Sequence, residues 1–327
     1  MSIYGRVTEE GSGKPIPGAS VRFIAHAPRQ GQENPAETAA DGSFQIGVVA
    51  SPGHLVVRAP SDGYVLREIG EKTLQQSARG DFRNYAHSFQ SLDLKPGIGS
   101  QEVKVVLRRG ATVTGEVVGP EGQPVREAWI FTRGILAPTS DATRRWNGKV
   151  HGTTHNGRFE LFGLDSDTEV QVCFLEPRRK LGVAIKLSGK SAADGPVTVR
   201  LEPCGAARAR IVDSKGKAVA GPILSRSVTL LLTHGPHYWA TRDKAGVLAA
   251  DQADLTELDS VNYPRPHALD TQGRLTLPVL IPGAVYCLAD FTAGGLRENG
   301  PPIRKVFTVK PGETLDLGDI LIEMPGS

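Results

Sequence analysis

The sequence predicts an all-β chain of three tandem, seven-stranded, antiparallel β-sandwich modules, and three observations predict it. The 327 residues include 38 glycines and 23 prolines, which without a collagen-like glycine period is typical of short strands and sharp corners. A pattern of hairpin, turn and strand occurs three times along the chain. Between the turns, apolar residues alternate at the period of a β-strand.

Each repeat opens with a hairpin pattern. A short apolar stretch is followed by a turn that contains glycine and by a second stretch opening with proline or alanine, which is typical of two antiparallel strands. Glycine suits the turn because it adopts positive φ without steric cost. The three hairpin segments are residues 5–21, 115–130 and 209–224.

A second turn in each repeat is followed by an alternating strand. The turn glycines are Gly42, Gly157 and Gly273, and their regular spacing of about 115 residues is the signature of an internal repeat. Alternation after each turn predicts that one set of apolar side chains faces a core. That set comprises Phe44, Ile46, Val48, Phe159, Leu161, Leu275, Leu277 and Val279.

The closing strands of the repeats set the predicted boundaries. They lie at residues 102–107, 196–201 and 314–322, and short polar joints follow the first two. We therefore predict modules at 1–110, 111–204 and 205–327, stiffly connected because no long linker separates them.

Each module also carries an insertion where the repeat is interrupted. The three insertions lie near residues 60–92, 134–152 and 234–268, and rigid β-sandwiches commonly place functional residues in such loops. Within the third, the Ala- and Leu-rich window 244–259 contains acidic residues and no proline. That composition predicts one or two helical turns.

The G-x-V strand, the Gly-x-Pro hairpin, the D-G-x-F turn and the P-G corner together resemble the carboxypeptidase regulatory-like domain, in three copies. Stretches such as GRFELFGL at 157–164 and FTVKPGETLDLGDI at 307–320 are most similar to planctomycete proteins that carry such repeats. The resemblance implies a transthyretin-like or immunoglobulin-like sandwich and a non-catalytic appendage of a larger bacterial protein. Glu127, where the family has a small residue, and Ala209, where it usually has glycine, depart from the pattern.

Charge and motifs argue against several classes of function. The net charge of +3 is too balanced for a nucleic-acid or membrane-surface protein. The sequence lacks the H-E-x-x-H, G-x-S-x-G and G-x-G-x-x-G motifs, and no apolar run is long enough to cross a bilayer. Residues 1–7 do not resemble a signal peptide. We therefore expect no catalytic residues, no cofactor, no nucleic-acid partner and no membrane segment here.

The strongest candidate site residues lie in the insertions. Two imidazoles and a carboxylate could share a transition metal, because borderline metals accept both kinds of ligand. Alternatively, the same loop packs on the sandwich edge with its histidines in water. The candidate metal ligands are His234, His237 and Asp243.

Aromatic side chains in the insertions could instead form a stacking surface for a sugar or peptide, because their rings offer contact area at little entropy cost. Alternatively, all of them are consumed by packing. The candidates are Trp146, Tyr238, Trp239 and Tyr263.

Two smaller patterns also have open alternatives. Asp165, Asp167 and Glu169 could bind calcium, but an ordinary acidic turn is favoured because the EF-hand spacing is absent. Cys204 could pair with Cys173 if their Cα atoms come within about 7 Å. Cys173 and Cys287 lie in comparable strands, where a buried thiol is the common case.

We accordingly predict a non-catalytic module that spaces or presents a surface for binding a partner, either other domains of a larger parent chain or a protein or glycan. The alternatives are a carbohydrate-binding module that uses the 234–268 insertion, and an enzyme with a metal in that loop. We expect an extracytoplasmic location, periplasmic or on the cell surface, while a cytoplasmic one stays open.

Overall fold

The computed structural model describes residues 1–26, 35–70, 73–74, 83–97, 99–132, 144–145, 152–219, 228–233, 255–257, 269–290 and 303–322. These residues form an all-β protein of short strands in several sheets, which confirms the predicted fold class. The strands group into three sets with the same pairing, which we call the first, second and third strand sets.

The first strand set consists of seven sandwich strands and two further short strands. The sandwich strands are β1 (Ser2–Glu9), β2 (Ser20–Ala25), β3 (Ala36–Glu37), β4 (Ser43–Gly47), β5 (Pro52–Arg58), β8 (Ser88–Asp93) and β9 (Ser100–Leu107). The further strands, β6 (Arg67–Gly70) and β7 (Arg83–Ala86), pair with each other. The predicted insertion at 60–92 is therefore shorter than expected, because β8 within it belongs to the sandwich.

The second strand set repeats this plan. Its sandwich strands are β10 (Ala111–Val118), β11 (Trp129–Thr132), β13 (Gly152–Thr153), β14 (Arg158–Leu164), β15 (Val170–Glu176), β16 (Leu181–Leu187) and β17 (Val197–Arg200). A short strand β12 (Arg144–Arg145) lies in the insertion, a 3₁₀ turn spans Gly189–Ala192, and β18 (Glu202–Pro203) pairs with the start of β16.

The third strand set has seven strands in its described part. They are β19 (Gly205–Val212), β20 (Val228–Thr233), β21 (Leu255–Glu257), β22 (Arg274–Leu280), β23 (Val285–Asp290), β24 (Ile303–Phe307) and β25 (Thr314–Leu321). Leu255–Glu257, near the end of the window 244–259 in which one or two helical turns were predicted, are not helical, because they pair with β20 as an edge strand. Tertiary pairing overrides a weak helix propensity there. The rest of that window lies outside the described residues.

Each strand set contains one three-stranded sheet, in the orders β4-β1-β9, β14-β10-β17 and β22-β19-β25. The second sheet has the orders β3-β2-β5-β8, β13-β11-β15-β16-β18 and β21-β20-β23-β24. Pairing is antiparallel except between the first and last sandwich strands of each set, such as β1 and β9, which run parallel. The prediction of purely antiparallel sandwiches is corrected at these three pairs.

The turn before the alternating strand is built the same way in each set. Gly42, Gly157 and Gly273 have φ of +77°, +78° and +73°, a region that favours glycine. A Cβ atom at Gly42 would lie 2.5 Å from the backbone oxygen of Val7. The strands that follow bury Phe44, Phe159 and Leu275 in the cores, as the alternation predicted.

A buried threonine beside this turn repeats as well. The Thr38 hydroxyl accepts a hydrogen bond from the Ala19 amide and donates one to the carbonyl of Ile16. Thr154 does the same in the second set, where it accepts from the Ala128 amide and donates to the carbonyl of Arg126. Because buried polar groups are costly unless they are paired, these bonds hold the segment before β2 or β11 against the residue that follows β3 or β13.

Candidate functional site

The residues that the sequence singled out as candidate ligands lie outside the described part of the chain. This holds for the metal candidates His234, His237 and Asp243 and for the stacking candidates Trp146, Tyr238, Trp239 and Tyr263. They stay predictions. Within the described ranges, no three His, Cys, Asp or Glu side chains are grouped so that they could hold a metal ion.

The acidic turn at 165–169 contacts cations of the protein. The Arg108 guanidinium lies 3.1 Å from Asp165 and 2.7 Å from Asp167, and Glu169 lies 3.6 Å from the Lys186 ammonium. A hydrogen bond from Arg108 lowers the pKa of the Asp167 carboxyl. The favoured interpretation of an ordinary acidic turn fits these ion pairs, since the carboxylates serve to hold Arg108.

Arg108 connects the first and second strand sets. It follows β9 directly, and its guanidinium also lies 3.6 Å from the Glu10 carboxylate of the first set. Asp165 is nearly buried, with 10% of its side chain exposed. The Arg108 guanidinium therefore forms ion pairs with carboxylates of both sets.

Arg109, the next residue, makes an ion pair and a cation-π contact. It pairs with Glu9, and its guanidinium carbon lies 4.6 Å from the centroid of the Tyr64 ring, a cation-π geometry. The hydrogen bond from Arg109 lowers the pKa of Glu9, whereas burial raises the pKa of Tyr64. We call the ion pairs of Arg108 and Arg109, with Tyr64, the polar joint.

Backbone packing tightens the polar joint. The Gly110 amide donates to the Gly63 carbonyl at 3.0 Å, and the Val65 amide donates to the Arg108 carbonyl at 2.9 Å. Gly163 of the second set has φ of +67°, and a Cβ atom there would lie 2.4 Å from the Tyr64 backbone oxygen. The two backbones can approach this closely only because Gly163 has no side chain.

A strand pair also connects the insertions of the first and second sets. β12 pairs antiparallel with β7, with Arg144 opposite Tyr85 and Arg145 opposite Asn84. The resulting three-stranded sheet has the order β12-β7-β6. The first two insertions therefore meet along one sheet, which the sequence did not predict.

The second and third strand sets meet through apolar side chains. Phe131, Cys173 and Leu175 of the second set are at most 1% exposed and belong to the core cluster of the third set, which includes Leu280 and Ile281. The partly buried Trp129 and Cys204 pack against the same cluster. We call this contact the apolar joint. Its neighbours on β15, Val172 and Phe174, face the second set's own core.

Hydrogen bonds and thiols complete the apolar joint. The Ala184 amide donates to the Pro282 carbonyl at 3.1 Å, and the Gly312 amide donates to the Pro203 carbonyl at 3.0 Å. Cys173 and Cys204 are both free, so the disulfide considered from the sequence is absent between them. Burial raises the pKa of each thiol to about 12. Both therefore remain protonated and unreactive at neutral pH. The side chain of Cys287 is not among those that the structure describes.

One groove is present on the open face of the first set. Its volume is about 660 Å³, and the ring of Tyr4, 41% exposed, forms part of its wall. The polar lining side chains are Ser2, Glu37, Ser43, Gln45 and Ser100. Glu37 is the one carboxylate among these lining residues.

Residues 2–83 match the family model of the carboxypeptidase regulatory-like domain. That match confirms the resemblance for this segment of the first strand set. No curated protein matches the chain.

Several solved structures are similar to the chain at low identity. They include the Bacillus anthracis TIE protein (14% identity, TM-score 0.23, 97% of this chain and 49% of that one). The major pilin subunit BcpA of Bacillus cereus has 11% identity, a TM-score of 0.20 and 98% coverage of both chains. The shaft pilin SpaA of Lactobacillus rhamnosus GG has 13% identity and a TM-score of 0.21, covering 67% of this chain and 99% of that one.

The chain spans about half the length of the TIE protein. Because all these scores are low, the fold assignment rests on the strand pairing itself. Among the residues that the structure describes, no helix has the length and apolar character needed to cross a bilayer.

Proposed function

We propose that the chain is a non-catalytic structural segment of a larger extracytoplasmic bacterial protein, which holds its insertions in a fixed relation so that they present a surface to a partner. The two joints carry this proposal. If the strand sets were connected by free linkers, their contact surfaces would be small and solvated. Here one contact is a network of ion pairs and close backbone packing, and the other is a shared apolar core.

We propose the module boundaries 1–110, 111–204 and 205–327 as part of the same hypothesis. The strand sets support them, because β10 begins at Ala111 and β19 begins at Gly205. The family match at 2–83 supports a non-catalytic role for the first module, since the resemblance implies a domain that accompanies other activities.

Distances between spin labels test the rigidity that this function needs. The turn residues Ser12, Glu121 and Ser214 are exposed and lie one in each strand set, so each can be changed to cysteine after the native cysteines are replaced by alanine. Pulsed electron paramagnetic resonance measures the distance between two spin labels. The distance for the 12/121 pair reports on the polar joint, and the distance for the 121/214 pair reports on the apolar joint. The 12/214 pair reports on both.

The proposal predicts one narrow distance distribution for every pair. A broad distribution for the 12/214 pair, comparable to that of domains on a flexible linker, would contradict the proposal. The 12/121 and 121/214 pairs then identify the joint that moves.

A further inference from the structure

An exposed tyrosine stands on the outer face of the β4-β1-β9 sheet, in the groove described above. Tyr4 is 41% exposed and lies opposite Gln45 of β4 and Glu102 of β9 in the strand register. The groove is lined from all three strands of this sheet and from β3. Its volume of about 660 Å³ is within the range of small-ligand sites, about 300–1,000 Å³. A ligand can therefore lie beside an aromatic ring here.

The repeat shows that the fold does not need an aromatic residue at the position of Tyr4. The equivalent residues, matched through the register of the first strand with the alternating strand, are Thr114 in the second set and Arg208 in the third. Sheets of equivalent strand order form with all three residues. An aromatic ring held on the solvent side of a sheet offers a flat contact surface to a ligand. The first set has such a surface, and the other two sets do not have it at this position.

The polar side chains around the ring have hydrogen-bonding groups to spare. Glu37, Gln45 and Ser100 line the groove and form no side-chain hydrogen bond or ion pair with any other residue that the structure describes. The adjacent turn differs, because the Ser43 hydroxyl donates to the Asp41 carboxylate at 2.6 Å. A carboxylate accepts hydrogen bonds, an amide donates and accepts, and a hydroxyl does both. These groups suit a ligand that carries many hydroxyl groups.

The charges at the groove disfavour an anionic ligand. The lining residues, all within the described ranges, include no lysine, arginine or histidine, so a phosphate or carboxylate group would find no cation there. Arg6, the next outward-facing residue of β1, is paired with Asp41 at 2.9 Å. A purely apolar ligand would leave the polar lining groups without partners, which is costly. The ligand that fits is neutral, with an apolar face and a rim of hydroxyl groups.

We propose that the groove at Tyr4 binds a neutral polysaccharide of pyranose units with equatorial hydroxyl groups, such as a cellulose-type glucan. Equatorial substitution leaves only C–H groups on the two faces of each ring, so these faces are flat and apolar. One face stacks on Tyr4, while hydroxyl groups at the ring edge donate to Glu37 and exchange hydrogen bonds with Gln45. Because the groove is open, the sugar chain continues beyond it.

This site is separate from the joints and from the aromatic candidates of the insertions. Tyr4 lies in β1, whereas those candidates lie at residues 146, 238, 239 and 263. The site adds a ligand to the proposed structural role and does not rest on it. Spin-label distances test the rigidity of the chain and sugar binding tests the groove, so either proposal can fail alone.

Isothermal calorimetry of the intact chain with cellohexaose tests the proposal. We expect binding that is weakened at least about tenfold in Tyr4→Thr, because stacking on the ring is lost. Threonine is the residue of the second set at this position, so the strand tolerates it. Tyr4→Phe should keep the affinity within about threefold, since stacking uses the ring and not the hydroxyl. Val106→Ala is the matched control on the same sheet face, 53% exposed, and should bind as the unsubstituted chain does.

Hexagalacturonate, which carries a carboxylate on every unit, should not bind in the same assay. Amide chemical shifts of the unsubstituted chain, measured by NMR during titration with cellohexaose, give a readout that does not depend on a variant folding. The perturbed residues should cluster around Tyr4, Gln45 and Ser100. Absence of cellohexaose binding, undiminished binding by a folded Tyr4→Thr chain, perturbation confined to other residues, or equal binding of hexagalacturonate would each overturn the proposal.

Discussion

The two joints connect strand sets of the same topology by different physical means. At the polar joint, the partly exposed Arg108 and the exposed Arg109 pair with carboxylates, of which Asp165 and Glu9 are largely buried, and backbone groups pack around Gly163. At the apolar joint, Phe131, Cys173 and Leu175 enter the neighbouring core and lose nearly all contact with solvent. Copies of one repeat can therefore be joined either by ion pairs or by buried apolar side chains.

The strengths of the two joints should differ accordingly. Ion pairs near the surface contribute little, because water and salt screen them. Burial of large apolar side chains contributes on the order of 2 kcal/mol each. We therefore expect the second and third strand sets to unfold together, and the first set to be separable from them.

The largest predicted effect is at the apolar joint. Leu175→Ala should lower the free energy of unfolding by about 3 kcal/mol, because it removes buried contacts and leaves a cavity between two strand sets. Urea denaturation followed by the fluorescence of Trp129 measures this, after Trp146 and Trp239 are replaced by phenylalanine.

The matched control for this variant is Leu321→Ala, since Leu321 is 49% exposed. It should cost well under about 1 kcal/mol. Equal costs for the two substitutions would show that Leu175 is not buried at a joint.

Acid should destabilise the first strand set, which contains His87. Burial lowers the pKa of His87 to about 4, while in the unfolded chain it stays near 6.5, so between these values the unfolded state binds more protons. Stability is complete above pH 6.5 and falls as the pH approaches 4, by at most on the order of 3 kcal/mol. Urea midpoints across this range measure the loss.

His87→Asn should flatten this pH dependence. The Nδ1 atom of His87 accepts a hydrogen bond from the Ala59 amide, and the asparagine side chain offers an oxygen acceptor without a group that titrates in this range. The exposed His155→Gln should leave the slope unchanged. A slope in His87→Asn equal to that of the parent would assign the acid sensitivity to another group.

A smaller effect is expected from Gly163→Ala at the polar joint. The added Cβ atom conflicts with the Tyr64 backbone oxygen and with a positive φ, and we expect a loss of about 2 kcal/mol. Gly216→Ala is the control, because it has φ of +73° but open space around it. If both variants lose the same amount in urea denaturation, the close approach at the polar joint contributes nothing.

The smallest effect is expected from Asp165→Asn. It weakens the ion pair with Arg108, and the resulting shift in the urea midpoint should be smaller than for Gly163→Ala and should shrink as sodium chloride is added. Leu175→Ala serves as the comparison, since its effect should persist in salt. A salt-independent shift for Asp165→Asn would mean that packing, not charge, holds this side chain.

Much of each strand set could be predicted from local pattern. Gly42, Gly157 and Gly273 mark turns that require positive φ, and alternation after them identified buried residues such as Phe44 and Leu277. The parallel pairing of β1 with β9 could not be predicted in this way. The two strands are distant in sequence, and alternation does not specify the direction of a partner.

The contacts at the two joints could not be predicted from the sequence, for a related reason. β15 reads VQVCFLE and is buried on both faces at Cys173 to Leu175, so its pattern is a continuous apolar run. Such a run indicates that both faces are covered, but not what covers them. The polar joint had a clearer indication in the sequence, because the charged pair Arg108-Arg109 lies between two repeats. The candidate ligands of the 234–268 insertion stay predictions.

Hydrogen exchange of the intact chain, followed by mass spectrometry for Leu175→Ala against the parent, tests the central claim most directly. If the second and third strand sets share one core, protection should fall in the strands of both sets, including β19 and β22, and stay unchanged in β1 and β5. Loss of protection confined to the second set would contradict the account, because it would show that the two cores are independent.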